Sequence, residues 1–497
     1  MSTTARPRRP RPSLAALRSA PSTLRALTAI VRNPLTALPP AIYREPFVVS
    51  RLAGTPRIYL ADPVLIHEAL VQNADALDKG EEVRRALGPA LGRGLLTADG
   101  AHWKWQRQSV AGAFRHDRLL ALQPAMIDAA RRTGERLRAE RTGTVDIGHE
   151  MMRTTFDIIV QTMMSGGAGI DVERVERGIS DYLAPSGWMF AFGILGAPDW
   201  MPYPGRGKAA AAVAFLRSSL STVIAGRRRS GDPRQDLLAL LLAAADPETG
   251  RTMDDEEIVD NLMTFITAGH ETTALGLAWT FHLLAKHPGV EAKVLAEIAA
   301  VTQGRPVEAD HIARLAYTRQ VFSEALRLYP PAPIITRTAL RDLTLGGRAI
   351  AAGTVLYVPI HAVHHHAALW ADPERFDPDR FGPEAAKARH RYAYMPFGAG
   401  PRVCIGNAFA LMEAVAVLAV LLPAFRLADR GGATPEPIMK VTLRPRRRLA
   451  MTVEPRGADR TAAADASLRH GAERRPAGRD LERPDAPPRS KQGPAPG

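Results

Sequence analysis

Along most of the chain apolar residues recur at intervals of three and four, which predicts a body built largely of α-helices. Alternation of strand type is confined to short stretches. "FVVSRLAGTPRIYLADP" alternates apolar and polar positions around a Gly-Thr-Pro turn and predicts a hairpin near the N-terminus. "LTLGGRAIAAGTVLYVPI" predicts two more short strands around Gly-Gly and Ala-Gly turns. The expected fold class is mainly α with small β-sheets. One helix stands out by length. "TMDDEEIVDNLMTFITAGHETTALGLAWTFHLLAKHP" opens on a Thr252-x-x-Asp255 capping pattern, adds acids in its first turn and closes on Lys286, His287 and Pro288. From Met253 to Lys286 it would run about 50 Å at 1.5 Å per residue, enough to cross a domain. Its middle nevertheless holds Gly269, His270, Glu271, Thr272 and Thr273, and polar residues at the centre of a buried helix are costly unless paired or used.

Residues 1–40 combine Pro-Arg clusters with the amphipathic segment "LAALRSAPSTLRALTAIV", which predicts a basic, partly disordered arm followed by a peripheral helix. Residues 41–455 run on without low-complexity linker or repeat and are expected to form one domain. After that the composition turns to Arg, Ala, Pro, Gly and Asp, so 456–497 is expected to be a disordered tail. No uncharged apolar run reaches the roughly 18 residues of a membrane span. The longest candidate, "AVAVLAVLLPAF", reads as a buried helix.

The net charge of +14 suggests a nucleic-acid or membrane partner until it is located. Residues 1–44 carry +8 and residues 456–497 carry +3, leaving only +3 on the body. No nucleic-acid partner is expected from that distribution. The arm lacks the apolar core of a secretory signal, and the expected location is the bacterial cytoplasm, with a mitochondrial presequence as the alternative. The chain has one cysteine, which excludes an intramolecular disulfide and a cysteine-rich metal centre.

That cysteine, Cys404, lies in "FGAGPRVCIG" among Gly398, Gly400 and Gly406, two residues after Arg402. Glycines admit a close approach of backbone to a flat object. A cation and the positive end of the following helix favour a thiolate, so the setting suits a metal ligand. Phe397, Gly400, Arg402, Cys404 and Gly406 fill every fixed position of F-x-x-G-x-R-x-C-x-G, and the stretch resembles the signature of the cytochrome P-450 family of haem-thiolate monooxygenases. The resemblance implies that fold, with haem b between the long central helix and the helix after Cys404. It makes Cys404 the thiolate ligand of the iron and places Phe397 and Arg402 at the cofactor.

Three other segments carry the resemblance. "AGHETT" matches the family's A/G-G-x-D/E-T-T/S, which implies that Gly269 clears space for dioxygen where the helix is distorted. Thr272 would then hold water by hydrogen bonding, and Glu271 would relay protons to the reacting oxygen. In "HWKWQRQSVAGAFR", Trp103 and Arg107 match W-x-x-x-R and would bind a haem propionate, as would Arg337 in "IITRTAL". Glu324 and Arg327 of "FSEALRLYPP" match E-x-x-R, and Arg375 in "DPERFDPDRF" is expected to complete a buried structural triad with them. "HAVHHHAALW" departs from the family's usual His-Arg-Asp-Pro and reads as a loop, without a metal site, because neighbouring histidines point different ways.

The implied activity is a soluble, monomeric haem monooxygenase that inserts one atom of dioxygen into a hydrophobic substrate. The segments around 91–96, 188–200, Phe265 and 333–335 are the expected lining. Only about ninety residues follow the cysteine loop, too few for a fused reductase, so a ferredoxin or flavodoxin is the expected donor. It would dock on Lys104, Arg107, Arg115 and Arg402. The alternatives are a haem-thiolate peroxygenase or isomerase, which tends to lose the acid-alcohol pair kept here as Glu271-Thr272, and a non-catalytic haem sensor.

Overall fold

Charge and capping decide where the longest helix begins. The computed structural model describes residues 21–456 except 53–54, 141–142, 165–171, 199, 232–235, 247–248 and 430–432. Residues 1–20 of the basic arm and 457–497 of the tail lie outside the described residues. In chain order, helix α1 is Pro21–Arg32, strands β1 and β2 are Phe47–Leu52 and Thr55–Leu60, and β3 is Leu77–Asp78. Helices α2 (Gly80–Leu91), α3 (Gly100–Ala111) and α4 (His116–Ala139) follow, then β4 (Thr144–Asp146) and α5 (Ile147–Met163). Next come α6 (Val172–Leu183), α7 (Ser186–Leu195), α8 (Arg206–Ser230) and the long α9 (Asp255–Lys286). Asp254, not Thr252, caps α9: its side chain accepts from the Glu257 N–H while the Glu257 side chain accepts from the Asp254 N–H. The helix is unbroken over 32 residues, about 48 Å at 1.5 Å per residue.

The C-terminal third adds α10 (Ala316–Leu328), β5 (Ile335–Ala339), the hairpin β6 (Leu343–Leu345) and β7 (Arg348–Ile350), and β8 (Val355–Val358). Helix α11 (Asn407–Ala424) follows the cysteine loop, and β9 (Phe425–Asp429), β10 (Pro437–Met439), β11 (Leu443–Pro445) and β12 (Ala450–Pro455) close the body. The first predicted hairpin forms in register from Phe47 opposite Leu60 to Leu52 opposite Thr55. The second segment yields three strands instead of two, because β8 leaves its neighbours to join the larger sheet, ordered β1-β2-β8-β5-β3. Arg57 of β2, almost wholly buried, donates to Glu82 of α2 at 3.1 Å, and the Tyr357 hydroxyl of β8 donates to the other Glu82 oxygen at 2.7 Å. That pair fixes α2 on the sheet.

The helix expected to follow the arm within residues 1–40 is α1, and this segment buries the side chains of Ile30, Leu35 and Leu38. Gly187 of α7 has no side chain because a Cβ there would stand 2.3 Å from the Val31 carbonyl oxygen, so α1 packs directly on α7. Helices α8 and α11 are long and apolar enough to cross a membrane by length and composition, and α11 contains most of the run "AVAVLAVLLPAF". Within this fold α11 is largely buried, and α8 pairs its Arg217 with Asp260 of α9 at 2.7 Å.

Behind the cysteine loop, Glu324 and Arg327 of α10 are fully buried and form a two-pronged pair at 2.6 and 2.8 Å. Arg327 also donates to the carbonyls of His364, Pro373 and Arg375. The expected third member is corrected: the Arg375 side chain is exposed, and the guanidinium that approaches Glu324, at 3.5 Å, belongs to Arg380. The sequence offers the pattern twice in nine residues, as P-E-R-F and P-D-R-F, and only the second brings its guanidinium to Glu324. The run read as a loop begins as a helical turn, Ile360–His364, and turns His364, His365 and His366 into the interior. No cluster of three metal-ligating side chains occurs among the described residues.

Candidate cofactor and oxygen site

Two glycines shape the turn before Cys404. Gly398 and Gly400 have φ of 77° and 71°, which side-chain-bearing residues rarely adopt. At Gly400 the demand is double, since a Cβ there would stand 2.0 Å from the Leu70 carbonyl oxygen. The turn closes when the Cys404 N–H donates to the Phe397 carbonyl at 2.9 Å. Gly406 then caps α11, and the Cys404 sulfur lies 4.0 Å from where a Gly406 Cβ would be. Burial pushes the Cys404 thiol up, while the Gly406 N–H and the Arg107 guanidinium pull it down. The side chain is nevertheless exposed, so protein surrounds it without covering it.

Phe114 joins this loop to α9. Its ring lies 3.8 Å from the Gly406 Cβ position and stacks on Phe265 with centroids 5.8 Å apart. Along α9, Phe265, Ala268 and Thr272 are half-buried in a helix whose surroundings are mostly buried. Their spacing of three and four puts them on one face. The Thr272 hydroxyl donates to the Ala268 carbonyl at 2.7 Å, and no distortion breaks the helix. At Gly269 a side chain would stand 2.7 Å from Ile159 Cδ1, so this glycine lets α5 pack closely on α9.

Glu271, beside that face, sends its side chain to the β10–β11 hairpin. Its carboxylate is buried, and one oxygen accepts from Arg444 Nε at 2.8 Å, from Arg444 Nη2 and from the Thr442 hydroxyl, all at the hairpin β10–β11. The other oxygen has no partner among the described residues. No hydrogen bond joins Glu271 to the Thr272 hydroxyl there. No motif pointed to Arg444, which lies 173 positions away.

The remaining motif residues converge. Arg402 lies over the Trp103 ring at 4.3 Å and Arg107 at 5.9 Å. Arg402 donates to the Ala98 carbonyl at 2.8 Å and to Asp99 at 2.6 Å. Arg337 donates to the Thr336 carbonyl at 2.8 Å, and burial, reinforced by Arg402, pushes its pKa down to about 10. Lys79, which no motif flagged, joins them: burial, then Arg337 and Arg402, hold its ammonium well below the usual lysine range. Around Lys79, Arg107, Arg337 and Arg402 the carboxylates are Asp78 and Asp99, and both are also engaged by Arg84, which pairs with Glu81 as well. Such a positive surplus in a half-buried site suits a ligand with two carboxylates. With a thiol in a glycine turn and the half-open α9 face, the residues fit haem b.

Two expected roles shift. Of the four cations assigned to electron-donor docking, Lys104 and Arg115 are exposed, whereas Arg107 and Arg402 face inward at Trp103. Of the expected lining, Leu91 and Leu95 are buried and Ile335 lies 3.5 Å from the Gly398 Cβ position, but Trp200 is 73 % exposed and faces solvent.

A family model described as cytochrome P450 matches residues 42–453. The chain is 37 % identical over 411 residues to a cyclooctat-9-en-7-ol 5-monooxygenase of Streptomyces melanosporofaciens, covering 82 % of this chain and 88 % of that one. It is 31 % identical over 429 residues to a pentalenene oxygenase of Streptomyces avermitilis, covering 86 % and 94 %. The crystal structure of a cytochrome P450DA heme domain superposes with a TM-score of 0.74 at 29 % identity, over 83 % of this chain and 90 % of that one. Thiol loop, long helix and cation cluster thus stand in the order and fold of that family, and the chain belongs to the cytochrome P450 family of haem monooxygenases.

Proposed function

We propose that this monooxygenase oxidises a hydrophobic ring compound bearing alkene or alcohol groups, of the terpenoid class, with electrons from a separate ferredoxin or flavodoxin. The substrate class draws on the names of the two Streptomyces relatives, one specifying a cyclic alkenol and the other pentalenene. The apolar side chains Leu91, Leu95, Phe265 and Ile335 agree with such a substrate. The Streptomyces relatives also favour a bacterial cytoplasmic location.

The observation that carries the mechanism is the exposed Cys404 in its glycine turn beside Arg107. Haem iron held by the Cys404 thiolate supplies oxygen activation. Trp103, Arg107, Arg337 and Arg402 hold the cofactor's carboxylates, and the Phe397 carbonyl fixes the cysteine through its N–H. Thr272 presents its hydroxyl on the half-open face of α9 and holds water there. Glu271 moves protons from the β10–β11 side, where Arg444 and Thr442 hold its carboxylate in place. Lys104 and Arg115, exposed on the elements that flank Phe114, offer the donor a positive surface.

Titration of the ferric protein with cyclic alkenols, steroids and fatty acids tests this reading by optical spin shift. A shift at low micromolar concentration with the alkenols alone is expected. A shift with fatty acids alone would overturn the substrate class, and a reduced CO complex without the red-shifted Soret band of thiolate ligation would overturn the role of Cys404.

A further inference from the structure

Lys79 sits at the junction of β3 and α2, 8 % exposed, and its ammonium donates to the carbonyl of Leu96. No carboxylate forms an ion pair with it among the described residues. Asp99, the acid that pulls on it electrostatically, already pairs with Arg402 at 2.6 Å and with Arg84 at 3.2 Å. Apart from Asp99, the charges that act on it most strongly are the guanidinium groups of Arg337, Arg402 and Arg107. A buried ammonium among like charges is costly unless an anion joins it.

The carbonyl it holds belongs to an unusual loop. Residues 92–99 are fastened on one side to α9: the Arg93 N–H donates to Asp260 at 2.7 Å and the Leu95 N–H to Asn261 at 3.1 Å. A Cβ at Gly94 would stand 2.4 Å from the Asp260 carbonyl oxygen, so the loop lies directly on the helix. On its other side the fastenings are cations, Lys79 at Leu96 and Arg402 at Ala98. Beside neutral fastenings such as Gln106 on the Arg93 carbonyl at 2.9 Å, part of what orders this loop therefore consists of charged groups whose counter-charge the protein alone undersupplies.

We propose that Lys79 anchors a carboxylate of the bound haem and, through the Leu96 carbonyl, makes cofactor loading and ordering of the loop 92–99 a single event. The inference rests on haem occupying the cation cluster and goes beyond it: a lysine outside every motif transmits occupancy to a loop of the expected substrate lining.

The test uses the haem-loaded protein and its Lys79→Met variant. Haem transfer to excess apomyoglobin gives one readout and hydrogen exchange of peptides covering 92–99 the other, with peptides of α4 and α11 as internal reference. The expected result is haem loss faster by roughly tenfold, as for loss of a charge-assisted hydrogen bond, with faster exchange confined to 92–99. Unchanged haem loss would overturn the proposal, as would faster loss with unchanged loop exchange or an increase spread over the reference helices. The CO spectra of both proteins are recorded alongside, so a failure of thiolate ligation is seen separately from a failure of this coupling.

Discussion

At the scale of single residues, direction matters as much as identity. Glu271 occupies the acid position of its motif, yet its carboxylate points to Arg444 and Thr442 and is buried to 1 % exposure. Breaking a buried ion pair leaves a charge without compensation, so Arg444→Met is expected to cost about 3 kcal/mol in urea unfolding. Removing both charges in Arg444→Met with Glu271→Gln should cost clearly less than the sum of the two single changes, because no orphaned charge remains. Additive costs would show that the two groups act independently. A motif fixes residue type and spacing, and this is why Cys404, Trp103, Arg107 and Arg402 were legible: their chemistry depends on a turn or on a shared helix face. Arg375 was misread, and the contact of Gly269 with Ile159 was not visible, for the complementary reason. What a missing side chain makes room for, and which of two equivalent arginines meets Glu324, are set by elements far away in the chain.

At the scale of elements, apolar periodicity located the helices and the first hairpin, while the ends and the fastenings depended on local polar competition. Thr252 and Asp254 both offer a capping side chain, and the helix begins after the acid, whose partner Glu257 can answer its own N–H. Asp254→Ala is therefore expected to lower stability by about 1 kcal/mol, measured by urea unfolding, whereas Thr252→Ala should leave it nearly unchanged. Equal losses at both positions would return the cap to Thr252. The loop 92–99 shows what periodicity cannot carry. Its partners Asp260 and Asn261 lie more than 160 positions onward, and its cations Lys79 and Arg402 come from either end of the fold. Nothing in "ALDKGEE" marks Lys79, because an isolated lysine acquires meaning only from the charges brought around it.

For the whole molecule, the buried titratable groups work against one another as pH changes. Burial depresses His361 and His364 well below the usual histidine range, and His282 to about 4. Each stays neutral in the fold while the unfolded chain takes up a proton below about 6.5, so their share of stability is present above that pH and is lost as pH falls toward about 4. Glu413 opposes them. It is fully buried on α11 and neither oxygen has a well-formed hydrogen bond. Burial therefore holds its carboxyl well above the usual range, with only the Thr273 hydroxyl pulling it down. A raised carboxyl favours the fold below its unfolded pKa and disfavours it as pH rises through the folded value. Glu413→Gln, which keeps the shape and removes the titration, should stabilise the holoprotein at neutral and alkaline pH relative to pH 4.5. Its decline from pH 6.5 toward 4 should be steeper than that of the wild type, because the histidines then act unopposed. Melting curves across pH 4.5–8 check both signs. Parallel profiles for the two proteins would mean that Glu413 holds no extra proton in the folded state, and a shallower decline in the variant would reverse the argument.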